Sequence, residues 1–301
     1  MIAWTGHFPP HRKLLGYLRI LLARLRFDQT LRPTWKVWRP GFEVAAGYCQ
    51  KLEALRGRYA GQRAFVIGAG PSLNRMDLSP LRDEVTIASN GVYRLFPRLG
   101  YKTTFLLIED IAVMEARGRE FERVRGTTKI AALHDAHAFR ADDETLFMNV
   151  RFGDSGYWDR GPAFSFDFPH IVYLGATITY IGLQLACHLG CQPIYLIGVD
   201  HNYGNLTELL PPGKVKVTAD NIRLLTEGRH FVADYHKIGD LVGVPYLDIQ
   251  NRSYQHARRV LAAHGVAVYN AGIDSLLEVF EKVDYQSLFG PRPTADDLRS
   301  S

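Results

Sequence analysis

The chain contains 301 residues, 47% of them hydrophobic, so it can bury one large α/β core or two smaller domains. Its net charge of +5 is uneven, because residues 1–40 hold eight Lys or Arg against one acid and the rest of the chain sums to −2. The main part therefore lacks the basic stripe of a nucleic-acid-binding domain, and no apolar run or leader pattern predicts a membrane span or a secreted protein.

The three cysteines are an odd number, which argues against a disulfide framework and favours a reducing compartment, here the cytoplasm. Cys187 and Cys191 lie on a predicted helix, and no second pair follows them at the spacing of a zinc site. We interpret both as helix packing and expect all three thiols to stay free.

The N-terminal segment, residues 1–58, is predicted to be basic and helical. Leucines from Leu14 to Leu25 recur at helical spacing while Arg and Lys occupy other positions, which indicates a basic amphipathic helix over residues 12–27. Such a helix can dock peripherally on the inner membrane face, or it can pack on its own domain or on a second copy of the chain as a homo-oligomer. A further helix is predicted over residues 42–58.

A strand followed by a glycine turn comes next, and the chain is organised around it. Residues 64–67 are apolar on both faces, as in a buried parallel strand, and Gly68 and Gly70 allow the backbone to turn sharply. Pro71 favours the first turn of a helix, so the amides of Ser72 and Leu73 would face a phosphate. A tight strand-to-helix turn without a ligand explains the same residues equally well.

Further buried strands end in polar side chains that would face the same crevice. Asn90, Glu109, Asp110, Asp200 and Tyr203 all follow such strands. The strands are predicted at residues 85–88, 104–108, 128–133 and 193–198. Their alternation with helices predicts a doubly wound, mostly parallel Rossmann-like α/β sheet with ligands outside the carboxyl ends of the strands.

The Rossmann-like domain is assigned to residues 59–290, with 291–301 as a tail. Within it, residues 136–170 have no clear period and are predicted to be an irregular insertion on the substrate side. Residues 204–229 are polar and are predicted to form a lid.

Four further elements are predicted in the second half of the domain. A buried helix is expected at residues 175–190, and Gly175, Ala176 and Thr177 at its start would form a second anion cradle. The remaining elements are predicted as a helix at 252–264, a strand at 266–269 and a closing helix at 274–283.

The order of several short motifs resembles a known group of bacterial proteins. The motifs are GAGPSL (68–73), SN (89–90), ED (109–110), GATITY (175–180), IYLIGVDHNY (194–203), HFVADY (230–235) and YNAGIDSLLEVFEKVDYQSLF (269–289). Together they resemble the 6-hydroxymethylpterin diphosphokinase (MptE)-like Rossmann family, which also takes in motility accessory factors. More distantly they are similar to the Campylobacter-type sialyltransferases of glycosyltransferase family 42.

The sialyltransferase resemblance implies a site for CMP-sialic acid. The matching positions would bind the nucleotide: Gly68, Ala69, Gly70, Pro71, Ser72, Asn90, Gly175, Ala176 and Thr177. Tyr203 would meet the phosphate, and His230 or His236, which follow the lid beside Asp234, would deprotonate the acceptor hydroxyl. Ala69 departs from the family, because an asparagine lies there in the glycine turn of those enzymes.

The diphosphokinase resemblance implies ATP with Mg²⁺ instead. Glu109, Asp110 and Asp200 would then be the metal ligands, and an oxygen of the pterin would attack the β-phosphorus of ATP. Each of these carboxylates could also merely cap a helix or hold a ribose.

Our first hypothesis is a metal-independent glycosyltransferase of surface glycan biosynthesis that binds no cofactor permanently. It would use a nucleotide-activated sugar, a CMP-linked acidic sugar, with a histidine base and a glycan or lipid-linked acceptor. The alternatives are the ATP- and Mg²⁺-dependent diphosphokinase and a non-catalytic partner protein that keeps the fold.

Overall fold

The computed structural model describes residues 42–136, 138–151, 162–232 and 234–290. The predicted helix at residues 12–27 and the tail at 291–301 lie outside these residues. The helices are α1 Phe42–Glu53, α2 Phe96–Leu99, α3 Ile111–Glu122, α4 Ile178–His188, α5 Leu206–Leu209, α6 Ile222–Thr226 and α7 Leu247–Ala263. No helix among the described residues is long and apolar enough to cross a bilayer.

Eight strands form one sheet in which every neighbouring pair is parallel. They are β1 Ala64–Ile67, β2 Val85–Ser89, β3 Phe105–Ile108, β4 Thr128–Ala132, β5 Thr145–Met148, β8 Ile194–Ile197, β11 Val268–Asn270 and β12 Glu281–Lys282. The remaining strands are β6 Val150–Arg151, β7 Val172–Tyr173, β9 Gly213–Lys216 and β10 Leu241–Val244. The order in the main sheet is β12-β11-β8-β1-β2-β3-β4-β5. This confirms the predicted Rossmann-like α/β fold.

The central strands are apolar throughout because both faces of the sheet are covered. In β1, Ala64 and Val66 belong to one hydrophobic core, whereas Phe65 and Ile67 belong to the core on the opposite face. Helix α4 packs over β1, β2 and β3 on the first face. Such double burial explains why these strands read as short continuous apolar runs.

The chain reverses its direction of winding between β1 and β8. From β1 it proceeds outward through β2 to β5 and then returns to place β8 on the other side of β1. Ligands of open α/β sheets bind at such a switch point, in the crevice outside the carboxyl ends of the strands.

The glycines after β1 are required by the neighbouring strand end. A Cβ on Gly68 would lie 2.4 Å from the carbonyl oxygen of Gly198, and one on Gly70 would lie 2.5 Å from the Asp200 carboxyl carbon. The turns after β1 and β8 therefore touch each other, which the sequence did not reveal.

Three predicted segments differ from the structure. Residues 136–170 are not wholly irregular, because Thr145–Met148 is a fully buried edge strand of the main sheet. Pro71–Arg75 forms only a short 3-10 helix. The helix predicted at 274–283 is wrong: this segment contains no helix and includes the short strand β12.

Hydrogen bonds and apolar burial hold residues 274–283 in their non-helical conformation. The Asn270 side chain donates to Ser275 Oγ and to the Leu277 carbonyl, both at 2.9 Å, and Ser275 Oγ donates to the Val199 carbonyl at 2.7 Å. Leu277 and Phe280 are buried in the main core. Buried hydrogen bonds and apolar contacts thus override the helical pattern.

The segment predicted to be a lid is folded. We call α5, β9, α6 and β10 the lid unit; β9 and β10 pair antiparallel. Its small core consists of Leu206, Val217, Leu225, Val242 and Val244. The partner strand β10 lies beyond the predicted boundary at residue 229, so the local sequence of residues 204–229 contains only half of the hairpin.

Candidate functional site

A cleft of about 250 Å³ opens at the switch point between the sheet and the lid unit. Its walls come from the carboxyl ends of β1, β2 and β8, the first turns of α3 and α4, and residues 229–243. It brings together eleven of the residues predicted from the sequence: Gly68, Ala69, Gly70, Pro71, Asn90, Asp110, Thr177, Asp200, Tyr203, His230 and His236.

Other predicted residues do not line this cleft. They are Ser72, Glu109, Gly175, Ala176 and Asp234. Gly175 is needed for packing, because a Cβ there would lie 2.4 Å from the Tyr180 ring. The Ala176 carbonyl accepts a 3.0 Å hydrogen bond from the Gln250 side chain. Of the three residues predicted to form a second anion cradle, only Thr177 lines the cleft.

The backbone amides predicted to hold a phosphate are already occupied. The Asp200 carboxylate accepts a hydrogen bond from the Ser72 amide at 2.9 Å and another from Ser72 Oγ. The Leu73 amide donates to the Gly70 carbonyl at 3.3 Å. An internal carboxylate therefore takes the position expected for the anion, and the prediction for these two amides was wrong.

Asn90 has an unusual conformation at the end of β2. Its φ is +48°, in the left-handed region that few residues adopt without strain. Its side-chain oxygen is buried, and no described group donates a hydrogen bond to it. A buried acceptor without a donor costs roughly 1–3 kcal/mol, so this oxygen is suited to a ligand N–H or O–H.

His230 and His236 form a hydrogen-bonded pair, with their Nε2 atoms 3.2 Å apart. One ring must donate and the other accept, so at least the accepting imidazole is neutral in this arrangement. Burial, and then the charge of His236, lowers the pKa of His230 to about 3. Burial, followed by the charge of Arg117, lowers the pKa of His236 to about 4.

Tyr235 holds the histidine pair in place, a role that the sequence did not indicate. Its ring stacks on His230 with centroids 3.9 Å apart, and its hydroxyl accepts a 3.0 Å hydrogen bond from the Gly91 amide. A Cβ on Gly91 would lie 2.5 Å from this ring. Gly91 therefore provides the notch that Tyr235 fills, and this notch lies next to Asn90.

Asp234 does not orient either histidine, contrary to the prediction. Its carboxylate binds Arg94 at 2.6 Å and is 66% exposed.

Tyr203 lies in the wall of the cleft. Burial raises the pKa of its hydroxyl, whereas the hydrogen bond to Gln250 lowers it, and burial is the stronger effect. Tyr203 is therefore a neutral hydrogen-bonding group in the cleft wall.

Glu109 and Asp110 follow β3, and Asp110 stabilises the structure around it. Asp110 caps α3 by accepting from the Ala112 amide at 2.9 Å and the Val113 amide at 3.4 Å, and it also binds Lys214 of the lid unit. Burial, and then the charge of Asp110, raises the pKa of Glu109 well above its usual value. In the protein without a bound cation, the Glu109 carboxyl therefore favours its protonated form.

The three carboxylates predicted for Mg²⁺ do not fit a common metal site. Asp110 is paired with Lys214, Asp200 accepts from Ser72, and Glu109 favours protonation. Over the described ranges, no group of three or more His, Cys, Asp or Glu side chains could hold a metal ion.

Comparison with known proteins gives one family. The profile of the family described as "6-hydroxymethylpterin diphosphokinase MptE-like" matches residues 43–206, more than half of the chain. No curated protein gives a significant match.

Two solved structures are similar at low identity. The MAf glycosyltransferase from Magnetospirillum magneticum AMB-1 is 14% identical with a TM-score of 0.45, and the match covers 84% of this chain and 42% of that protein. This chain thus spans less than half the length of that relative. A mammalian sialyltransferase is 11% identical with a TM-score of 0.36, covering 88% of this chain and 86% of the other. Neither TM-score is high enough to carry a functional argument.

Proposed function

Because this chain belongs to the 6-hydroxymethylpterin diphosphokinase MptE-like family, we propose that it is a transferase with a nucleotide substrate. Specifically, we propose a glycosyltransferase that uses a nucleotide-activated sugar, a CMP-linked acidic sugar, and transfers it to a glycan or lipid-linked acceptor. The observation that supports this choice is the pair of neutral imidazoles in the same cleft as the unpartnered Asn90 oxygen.

In this reaction the acceptor hydroxyl attacks the anomeric carbon of the sugar. The new glycosidic bond forms as the bond between sugar and phosphate breaks, and the nucleotide leaves with the electron pair. An imidazole takes the proton of the hydroxyl, which requires the neutral form found here. The lid unit would keep water from the activated donor.

We assign the accepting atom to Nδ1 of His236. Nδ1 of His230 is buried and has no hydrogen-bond partner among the described residues, so it does not face an acceptor hydroxyl. If His230 carries its proton on Nδ1, its Nε2 accepts from Nε2–H of His236. Nδ1 of His236 then has the free lone pair, and Tyr235 fixes the rings by stacking.

The first test measures the melting temperature of the protein in the presence of CMP, CDP, UDP, GDP or ATP, each with and without Mg²⁺. A rise in the melting temperature reports binding. A ligand at 100 times its dissociation constant stabilises by about 2.7 kcal/mol, which is easily measured. We expect a cytidine nucleotide to stabilise the protein without Mg²⁺. Stabilisation by none of these nucleotides would contradict the proposal and favour the non-catalytic partner protein.

The second test is transfer by His236→Gln. This variant should retain nucleotide binding and lose transfer by roughly 100-fold or more, as expected when a general base is removed. His256→Gln, on α7 and outside the cleft, is the matched control and should transfer normally. Full transfer by His236→Gln would refute our assignment of the base.

The diphosphokinase remains the second candidate because the family description names that activity. It predicts that ATP stabilises the protein only with Mg²⁺ and that Asp110→Asn removes this effect. The engagement of Asp110 with Lys214 and with the first turn of α3 argues against it. Stabilisation confined to ATP with Mg²⁺ would reverse our order of preference.

A further inference from the structure

Arg229 is the only Lys or Arg among the described residues that line the cleft. The other charged residues there, Asp110 and Asp200, are acids. Both histidines are neutral, so Arg229 provides the positive charge of the site. A nucleotide brings negative phosphate into this cleft and needs such a charge close by.

The guanidinium of Arg229 is fixed by carbonyl groups. Its Nε donates to the Leu224 carbonyl at 2.7 Å, and its Nη1 donates to the Tyr203 carbonyl. These bonds leave Nη2 and one N–H of Nη1 without an acceptor among the described residues. The side chain is therefore oriented in advance while three of its five N–H donors stay open.

No carboxylate among the described residues lies within salt-bridge distance of Arg229. The ion pairs of the neighbourhood join other residues: Arg75 pairs with Asp274, and Arg223 pairs with Glu227. Burial lowers the pKa of Arg229, which means that its charge is under-compensated in this environment. An arginine that is partly buried and lacks a counter-ion is well suited to bind an anion.

Arg229 also stands where the cleft meets a second cavity. This cavity has a volume of about 540 Å³ and lies toward the carboxyl end of β11. It shares Pro71, Asp200, Asn202 and Arg229 with the first cleft. A phosphate at Arg229 would thus lie between two spaces, each large enough for part of a substrate.

We propose that Arg229 binds the phosphate of the nucleotide with the open side of its guanidinium. The inference rests on the proposed function and adds a residue to it, because the turn after β1, where the anion was expected, is filled by Asp200. Phosphate at this position would also neutralise a charge that lowers the pKa of the adjacent His230.

The test compares nucleotides with their nucleosides. Dissociation constants of CMP, UMP, GMP and AMP, and of the four corresponding nucleosides, are measured for the wild type, Arg229→Gln and Arg229→Lys. We expect Arg229→Gln to weaken binding of the preferred nucleotide by roughly 10- to 100-fold and to leave binding of its nucleoside within about twofold. Arg229→Lys should recover part of the loss.

Controls separate this role from a structural one. Arg75→Gln removes a cation that lines only the second cavity and is paired with Asp274, so nucleotide binding should not change. If Arg229 only anchored the lid unit to the Tyr203 carbonyl, Arg229→Gln would weaken nucleoside and nucleotide equally, and the inference would be overturned. If the wild type bound no nucleotide, the proposed function itself would fail.

Discussion

Asn90 combines two costs in one residue, a left-handed backbone and a buried oxygen without a donor. Strain of this kind persists where the surrounding structure enforces it, and it concentrates at functional sites. His201, with φ of +52°, lines the same cleft. The residues that line the cleft therefore cost the free protein some of its folding free energy, whereas the sheet beneath them stabilises it.

Asn90→Gly separates the two costs. Glycine adopts a positive φ without strain, so we expect the melting temperature to stay the same or rise. Loss of the amide oxygen should weaken nucleotide binding by roughly tenfold, the value of one hydrogen bond. Thermal unfolding and titration of the nucleotide measure the two effects, and Asn90→Ala, which loses the oxygen and keeps the strain, is the matched control. Unchanged binding in both variants would place the ligand away from this oxygen.

The histidine pair predicts how stability depends on pH. In the folded protein the pKa of His236 is about 4, and in the unfolded chain it is near its usual 6.5. The unfolded state therefore binds the proton first, so stability is complete above about pH 6.5 and falls as the pH decreases toward 4.

His236→Gln lacks this titration. Between about pH 7 and pH 5 the wild type should lose up to about 2 kcal/mol more free energy of unfolding than the variant. Chemical denaturation at both pH values provides the measurement. Equal losses in the two proteins would mean that His236 titrates normally in the folded state.

At the scale of elements, the contact between the turns after β1 and β8 determines the geometry of the cleft floor. Gly68 meets Gly198, and Gly70 meets Asp200, so neither position has room for a side chain. The glycines bring two strand ends together, and the ligand then meets a surface that both strands build.

Gly68→Ala tests this packing. Its Cβ would lie 2.4 Å from a backbone oxygen, and relief of such a clash costs about 2 kcal/mol or more. Gly243→Ala, in β10, meets only the Lys214 ammonium at 4.0 Å and should be neutral or slightly stabilising. Comparable unfolding midpoints for the two variants would show that the turns can move apart.

The sequence predicted elements best where burial leaves a local pattern. β1, β2, β3, β4 and β8 were all placed within about one residue, because strands buried on both faces are short apolar runs between polar ends. The buried strand β5 was missed because the glycine- and aromatic-rich residues that follow it obscure its boundary. The closing helix was wrong because the hydrogen bonds of Asn270 and Ser275 are tertiary and leave no periodicity.

The site could be predicted only in part for the same reason. The glycine turn, Asn90 and the two histidines were identified, and the structure brings them to one cleft. Three hydrogen bonds of the site join residues more than 100 positions apart in the sequence. They link Ser72 with Asp200, Arg94 with Asp234, and Gly91 with Tyr235. No spacing in the sequence encodes such contacts.

At the scale of the whole molecule, the protein combines a large double-sided core with a small separate one. The main sheet contributes to two extensive cores, whereas the lid unit is held by five buried residues and by surface pairs such as Lys214 with Asp110. Exposed ion pairs contribute little to stability, about 0–1 kcal/mol each. We therefore expect the lid unit to open before the sheet.

Hydrogen exchange should show this hierarchy. We expect amides of β9 and β10 to exchange faster than those of β1, β2 and β8, because local opening requires less free energy than global unfolding. A bound nucleotide should slow exchange in β10, which borders the cleft, and leave β1 unchanged. Equal protection in both parts would show that the lid unit unfolds only with the sheet.

The notch at Gly91 has a consequence for the order of events in a catalytic cycle. The residue that precedes it, Asn90, faces the cleft, and the residue that fills it, Tyr235, carries His230 on its ring. In the proposed glycosyl transfer, a donor that engages Asn90 would act, through two contacts, on the alignment of the imidazoles. Such coupling would favour an ordered mechanism in which the donor binds before the acceptor and the free nucleotide leaves last.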